Sequence, residues 1–306
     1  MSRALKNSYS WSFSRYNLFN FCELAYFFHY YGSWNGWDPY APKQTKKSYR
    51  LKHLMTKELW LNCIIRKSLV NAINRTSPSR NSLYEEFESQ SRKTLSHDIN
   101  SLYEEKWKEN PKNICLDEIY YREKNIEETV HWIKRQTCSR IKILQESKLF
   151  HELSVIPFPA FINIGGLPLS FTLNSTRIWC SPDLIWNSNG LLNILNLDNG
   201  PSWPFLAGLN QLYADQNYSH VRIACHTLFI KKDISFSVYG IRSPKEIMGI
   251  IAESSREMQS RLTINQKAYI ENFSGTGEQK KCQTCRFKAI CQYYRHPGGL
   301  TVASRG

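Results

Sequence analysis

The spacing of apolar residues predicts helices in the first quarter of the chain. Residues 8–31 are dense in aromatic side chains and contain no proline, which indicates a helix over about 15–31 with Ser12 or Ser14 as its N-cap. A break follows at Asn35-Gly36-Trp37-Asp38-Pro39, and the basic residues 41–50 are expected to form a loop. An apolar stripe at helical spacing then predicts a helix over about 52–74.

The pattern remains helical up to residue 150 and becomes strand-like from residue 155. Charged amphipathic stretches predict helices within 82–108 and 114–150. Short apolar runs punctuated by Pro and Gly then predict strands at 169–173, 177–180, 184–186 and 191–197. Between the last two runs, Asn187-Ser188-Asn189-Gly190 has the residue types of a tight turn, which predicts that they pair as a hairpin.

The final third returns to helix. The expected elements are a helix at 205–216, strands at 221–229 and 234–239, and an amphipathic helix at 243–271 that begins at Ser243-Pro244. The tail from residue 296 is expected to be loose.

These elements predict an α/β fold in which outer helices cover a mixed central sheet. The sequence shows no internal repeat, so we expect a single domain. This domain is expected to span 1–306. Within it we expect a helical insertion at 75–150, a β-rich core at 155–240, and a C-terminal helix with a cysteine knuckle at 243–295.

Composition favours a polyanionic partner. The net charge is +14, from 40 Lys and Arg against 26 Asp and Glu, and 13% of the residues are aromatic. No apolar run approaches the roughly 20 residues of a membrane span. The basic N-terminus is not followed by an apolar signal stretch, so we expect a cytoplasmic protein without membrane association.

The nine cysteines predict metal chemistry at one position. In a reducing compartment, CxxC spacing indicates metal or redox chemistry more often than disulfides. Cys282, Cys285 and Cys291 form a C-x2-C-x5-C run, and Cys22 is the candidate for a fourth thiolate. Thiolates suit zinc and iron–sulfur clusters alike. The other five cysteines stand singly in apolar surroundings and are expected to be buried: Cys63, Cys115, Cys138, Cys180 and Cys225.

Three segments carry a resemblance to a known superfamily. The opening segment has Ser12-Phe13-Ser14-Arg15 followed by Phe19-Asn20-Phe21-Cys22. The middle has Ser181-Pro182-Asp183-Leu184 ahead of Asn196-Leu197-Asp198-Asn199-Gly200, and the end has the C-x2-C-x-F-x3-C knuckle. In these features the chain resembles PD-(D/E)XK nucleases of the RecB-like iron–sulfur branch, which includes CRISPR-associated RecB-like exonucleases and the AddB nuclease domain.

The resemblance implies a PD-(D/E)XK core whose C-terminus is stapled by a cysteine cluster. It implies that Cys22, Cys282, Cys285 and Cys291 hold a [4Fe–4S] cluster, with zinc as the alternative. Residues 75–150 match nothing in the family.

The resemblance also implies a catalytic site that has lost most of its groups. Asp183 keeps the first acid of the family, whereas Asn196 stands at the second acid and Asp198 at the lysine. Arg66 replaces a metal-binding histidine, and the family's Q-x-x-x-Y helix keeps only its tyrosine, Tyr213. An arginine beside a cation site opposes metal binding and suits a phosphate instead.

We therefore expect a catalytically degenerate nuclease-fold protein that binds nucleic acid, with DNA favoured, as a subunit or regulator in a larger DNA-processing or defence complex. The residues expected to contact nucleic acid are Arg66, Lys67, Lys46, Lys47 and Tyr213.

Three alternatives stay open. Asp183 and Asp198 can bind one Mg²⁺ or Mn²⁺ in a shifted geometry, which would make the protein an active nuclease. The fold can serve purely as a protein-interaction scaffold. Asp183 can also be a turn or capping residue after Pro182.

Overall fold

The computed structural model describes residues 8–75, 82–165, 168–188, 190–198, 203–218, 221–229 and 243–295, and the account below is of those residues. They form a mixed α/β fold, as the sequence predicts. The strand expected at 234–239, the tail from residue 296 and Asn189 of the expected turn lie outside them.

The helices surround two small sheets. The helices are α1 (Phe13–Phe21), α2 (Glu23–Phe27), α3 (Lys43–Lys52), α4 (Lys57–Arg75), α5 (Leu83–Tyr103), α6 (Asp117–Tyr120), α7 (Ile126–Gln145), α8 (Lys148–Ser154), α9 (Trp203–Asn217), α10 (Pro244–Ser260), α11 (Gln279–Thr284) and α12 (Gln292–Arg295). The strands are β1 (Trp11–Ser12), β2 (Phe161–Ile164), β3 (Leu169–Leu173), β4 (Thr176–Cys180), β5 (Leu184–Ser188), β6 (Leu191–Asp198) and β7 (Arg222–Phe229).

The larger sheet is mixed and has the order β2-β5-β6-β7. Strands β2, β5 and β6 are antiparallel neighbours, and β6 pairs in parallel with β7 after a crossover through α9. The hairpin predicted between β5 and β6 is confirmed, with Leu184 opposite Leu195 and Gly190 in the left-handed region at φ +73°. A smaller sheet has the order β1-β4-β3, so the strands do not form one central sheet.

The larger sheet separates two apolar cores. Ile185, Leu192 and Ile194 belong to a core shared with the N-terminal aromatic residues, α9 and α10. Leu184, Trp186, Leu195 and Leu197 belong to a second core with α4, α5, α7 and α8. Helix α4 contacts β2 of this sheet and also packs on α5 and α7, so it links the helical insertion to the sheet. Because β6 is buried on both faces, its polar residues lie inside the molecule.

The helix predicted over about 15–31 is interrupted near its middle, so that part of the prediction is wrong. Ser12 caps α1 by accepting a hydrogen bond from the Arg15 amide at 3.2 Å, as expected. However, Cys22 is extended at φ −170° and ψ 121°, and the chain continues as the short helix α2 and a π-helical turn. The Leu24 amide bonds the Ser274 carbonyl at 3.1 Å, so a distant segment fixes the break.

Two other boundaries differ from the prediction. Residues 43–52 are helix α3 instead of loop, because Pro42 precedes a run of helix-permissive residues that buries Ser48, Tyr49 and Leu51. Helix α10 begins with the Ser243–Glu246 capping box but ends at Ser260. A turn with Gln266 at φ 61° follows, and it pairs Leu262 with Ala268. Among the described helices, none combines the length and apolar character needed to cross a bilayer.

Candidate functional site

The interruption after α1 directs Cys22 toward the C-terminal knuckle. Glu23 forms two hydrogen bonds with the Arg261 guanidinium, at 3.0 and 2.7 Å, and accepts a third from the Ser274 amide at 3.1 Å. The Cys22 sulfur itself lies 4.0 Å from the Ser274 carbonyl oxygen. These contacts join residues about 240 positions apart and place Cys22 beside the segment that leads into the knuckle.

The knuckle is held by contacts that require no metal. The Tyr121 hydroxyl donates to the Arg286 carbonyl at 2.7 Å, and the Arg286 side chain donates to the Lys52 carbonyl at 3.2 Å. Phe287 is 1% exposed and packs on Phe28 with ring centroids 5.7 Å apart. Lys288 pairs with Glu123. The loop that carries three cysteines is therefore fixed to the N-terminal helices and to the helical insertion.

All four predicted ligands line one pocket. Cys22, Cys282, Cys285 and Cys291 share it with apolar side chains and with Lys281 and Lys288, and the described residues that line it include no carboxylate or histidine. All four are free thiols. Within the residues the structure describes, no group of three or more His, Cys, Asp or Glu is arranged to hold a metal ion.

The four thiols influence one another electrostatically. Burial raises the pKa of Cys285 to about 11, and Cys22, Cys291 and Cys282 add to the rise. Burial also raises the pKa of Cys282, again with contributions from Cys291 and Cys22. Four thiolates in this pocket would repel one another, and a cationic centre between them, like Lys281 and Lys288 in the lining, would favour their joint ionisation.

The remaining cysteines lie elsewhere in the fold. Cys115, Cys180 and Cys225 are buried as predicted, and Cys63 is half-buried. Cys138 is exposed, so the prediction for that residue is wrong. It lies on the solvent side of α7, whose inward positions include Thr137 and Ile141.

A second polar site lies at the edge of the larger sheet, where β5 begins and β6 ends. The Asp183 amide donates to the Leu195 carbonyl at 2.8 Å, and the Leu197 amide donates to Asp183 Oδ2 at 2.7 Å. These two bonds bracket Asn196, so Asp183 and Asn196 meet across the hairpin. Both are 5% exposed. The structure thus brings together two of the three residues expected at the degenerate catalytic site.

Arg66 from α4 completes this second site. Its Nε lies 2.5 Å from Asp183 Oδ1, and its Nη2 donates to the Leu197 carbonyl at 2.7 Å. The Asp183 side chain is 6% exposed, whereas the Arg66 side chain is 47% exposed. A guanidinium therefore covers the carboxylate at the mouth of the site and neutralises it there.

The other predicted site residues occupy different surroundings. Asp198 ends β6, and its side chain lies outside the described part of the structure. Tyr213 on α9 is 7% exposed and contacts Tyr218 edge-on at 6.1 Å, so its ring faces the core. Lys46 and Lys47 are exposed on α3, and Lys67 is exposed next to Arg66. Of these lysines, Lys46 donates to the Pro39 carbonyl.

Two contacts were not foreseen from the sequence. The Arg66–Asp183 ion pair joins residues that were assigned separately to phosphate binding and to catalysis. Glu23 and Arg261, which position Cys22, carry no motif signal, although Glu23 directly follows the cysteine.

Two histidines lie among cations behind the knuckle. Burial, with Arg286 and Lys52 nearby, lowers the pKa of His29 to about 3. Burial, with Lys52 and Lys112 nearby, lowers the pKa of His53 to about 4. Both imidazoles are therefore neutral in the folded protein at neutral pH.

His29→Gln is expected to make the protein less sensitive to acid. The folded-state pKa of His29 lies below the unfolded value, so the unfolded state takes up the proton first and stability falls as pH drops below about 6.5. Between pH 7 and 4, the unfolding free energy of the variant should rise by about 1–3 kcal/mol relative to the wild type. Urea denaturation across this range measures the difference.

The comparison with wild type is needed because Asp117 changes the stability in the opposite direction as the pH falls. Burial raises the pKa of Asp117 to about 7, which adds stability at low pH in both proteins. A difference for His29→Gln that stays constant with pH would contradict the assignment.

Comparison of the sequence with models of known protein families and with curated proteins found no match to either.

Proposed function

We propose that this chain is a catalytically inactive RecB-like nuclease-fold protein that binds nucleic acid and carries a [4Fe–4S] cluster as a structural staple. In this proposal it acts as a subunit or regulator of a larger DNA-processing complex. The mixed four-stranded sheet supports a PD-(D/E)XK core, because Asp183 and Asn196 meet at the positions that the two acids occupy in the resemblance.

The Arg66–Asp183 ion pair is the observation that carries the proposal. A divalent cation at this site would need the Asp183 carboxylate as a ligand, and the guanidinium already holds one of its oxygens. The other oxygen accepts the Leu197 amide at 2.7 Å. Asn196 offers a neutral oxygen in place of a second carboxylate, which weakens cation binding further. A fixed positive charge at Arg66 favours a phosphate over a metal ion.

The four thiols that line one pocket support the proposed cluster, because they are the thiolate ligands that such a cluster needs. Cys22, Cys282, Cys285 and Cys291 would hold it, and when bound it would supply four iron–thiolate bonds that join the two ends of the chain. The preference for a cluster over zinc follows the resemblance of Cys22 and the C-x2-C-x5-C run to the family's cysteine pattern.

Nucleic-acid binding is supported by charge that remains available at the surface. The net charge is +14, and Lys47 and Lys67 are exposed. The half-exposed Arg66 keeps a face toward solvent beside Lys67. Lys and Arg side chains that neutralise phosphates give affinity without sequence preference, and that affinity falls steeply with salt.

The absence of cutting is the direct test of this function. We expect no cleavage of single- or double-stranded DNA with Mg²⁺ or Mn²⁺ at protein concentrations that bind the same DNA. Cleavage that disappears in Asp183→Ala would overturn the proposal and favour an active nuclease with a shifted metal site.

Binding is tested separately by its salt dependence. Lys46→Ala/Lys47→Ala should weaken DNA binding and reduce the slope of log K against log salt by about 1–2, because each phosphate contact contributes roughly one unit. Lys134→Ala, an exposed lysine on α7, is the matched control and should leave the slope unchanged. If no polynucleotide binds at low salt, the interaction-scaffold alternative replaces this proposal.

A further inference from the structure

A groove between the loop at residues 36–39 and helix α3 combines exposed aromatic surface with cations. It is lined by Trp37, Tyr49, Lys46, Arg50 and Lys112, among others, and its volume is about 510 Å³. That volume is within the roughly 300–1,000 Å³ of ordinary small-ligand sites. We propose that this groove binds an unpaired nucleotide of single-stranded nucleic acid, with its base on Trp37 and its phosphates on the lysines of α3 and Lys112.

Trp37 is presented as a rigid surface for stacking. Trp37 is 46% exposed, although large aromatic residues are usually buried. Trp34 and Tyr49 contact its ring edge-on, at centroid distances of 5.3 and 5.8 Å. Tyr40, three residues further, is 95% exposed. An aromatic ring that is already held in place loses little conformational entropy when a base stacks on it.

The loop that carries Trp37 is seated closely on α3. A Cβ atom added at Gly36 would lie 2.3 Å from the Tyr49 Cβ and 2.8 Å from the Thr45 carbonyl oxygen. Only glycine permits this approach, which holds the neighbouring Trp37 at the rim of the groove. The platform is therefore a consequence of the packing of the loop on the helix.

Several cations line the same surface. Lys43, Lys46 and Lys47 are exposed on α3, and Lys112 is exposed on the opposite wall. Arg50 is fixed in place, because it donates to the Lys108 carbonyl at 3.2 Å and lies over the Trp107 ring at 5.9 Å. Lys46 donates to the Pro39 carbonyl, so it too is held at the groove. Cations beside an exposed aromatic ring are the usual elements of sequence-tolerant single-strand binding.

Two acidic residues also line the groove, and one of them is used within the loop. Asp38 accepts hydrogen bonds from the Tyr40 amide at 2.8 Å and from Asn35 Nδ2 at 3.2 Å. Glu109 is exposed on the far wall. Lys43 and Lys47 extend the positive surface beyond the groove, so the charge along the expected path of a strand is positive.

This inference depends on the proposed function for the claim that nucleic acid is the ligand. It adds that the bound form is single-stranded, because a base inside a duplex cannot stack on Trp37 without leaving its neighbours. It also assigns binding to a surface other than the Arg66–Asp183 site.

The test compares Trp37→Ala with Trp37→Phe in the full chain. Fluorescence anisotropy with an oligothymidylate single strand and with a duplex of the same length measures both affinities. Trp37→Ala should weaken single-strand binding by about 5- to 150-fold, the range for loss of one base–aromatic stack. Trp37→Phe should recover most of the affinity, and Tyr269→Ala, an equally exposed aromatic residue, should have no effect.

A second measurement separates this inference from the proposed function. Binding of the single strand should quench the intrinsic fluorescence of the wild type, and the quenching should be largely lost in Trp37→Ala. Circular dichroism and the melting temperature verify that the variant is folded. Equal binding of single strand and duplex, unaffected by Trp37→Ala, would overturn this inference and leave the proposed function intact. Failure of both DNA forms to bind would overturn both.

Discussion

Replacement of Cys285 by serine is expected to remove the brown colour, the iron and the sulfide from anaerobically purified protein. The Cys285 side chain lies in the pocket that Cys22, Cys282 and Cys291 also line. A serine hydroxyl is a far weaker ligand for iron than a thiolate, so the variant should lose the cluster instead of holding it by three bonds.

The same substitution should lower the stability of the whole fold. Metal binding at a structural site contributes directly to folding free energy, because the site does not exist in the unfolded chain. Loss of the cluster should lower the melting temperature by roughly 10 °C or more, since 1 kcal/mol corresponds to about 2–4 °C in a chain somewhat smaller than this one. The contacts of Arg286, Phe287 and Lys288 remain, so the variant should still fold.

Cys138→Ser is the matched control. Cys138 is exposed on α7 and lies outside the pocket of four thiols, so the variant should retain its iron and its melting temperature. One equivalent of zinc in the wild type would contradict the iron assignment. Wild-type protein that contains neither metal after anaerobic purification would show that the four thiols are only neighbours.

Strands β3 to β6 were predictable from the local sequence, whereas no strand was predicted at β1 or β2. Short apolar runs and the Asn187–Gly190 turn lead to β3–β6 in nearly their observed bounds, because period and turn chemistry are local properties. The wrong predictions lie where distant residues decide. Nothing within 15–31 signals a break, and the contact of Leu24 with Ser274 imposes it from about 250 residues away.

The candidate sites also divide into features that local sequence predicts and features that distant residues decide. The knuckle spacing and the resemblance of the N-terminal segment are sufficient to nominate the four cysteines that line one pocket. The pairing of Arg66 with Asp183 requires the position of α4 relative to the β5–β6 hairpin, which no local pattern encodes. The sequence therefore identifies both residues of the pair but assigns them separate roles.

Replacement of Arg66 by alanine is expected to destabilise the protein more than replacement of Asp183 by asparagine. The Asp183 side chain is 6% exposed, so Arg66→Ala leaves a buried carboxylate without this cation. Asp183→Asn leaves a guanidinium that is 47% exposed and accessible to water, and the amide oxygen can still accept the Leu197 amide. Because one partner is half-exposed, we expect about 1–3 kcal/mol for Arg66→Ala and less than about 1 kcal/mol for Asp183→Asn.

Urea denaturation of the two single variants and of the double variant measures the coupling. The double variant should be more stable than Arg66→Ala alone, because it also removes the buried carboxylate that loses the Arg66 cation. Arg66→Lys should recover only part of the loss, since an ammonium cannot reach Asp183 and the Leu197 carbonyl in the same planar geometry. A larger loss for Asp183→Asn than for Arg66→Ala would contradict the asymmetry.

The Arg66→Ala variant also tests whether the guanidinium replaces a metal ion. If it does, removal of the guanidinium leaves a carboxylate beside the Asn196 amide that can accept a divalent cation. Millimolar Mn²⁺ should then raise the melting temperature of Arg66→Ala by mass action, while wild type and the Arg66→Ala/Asp183→Asn double variant stay unchanged. Equal stabilisation of all three proteins would show that Mn²⁺ binds elsewhere, and Arg66 would then be a structural ion-pair partner with no relation to a metal site.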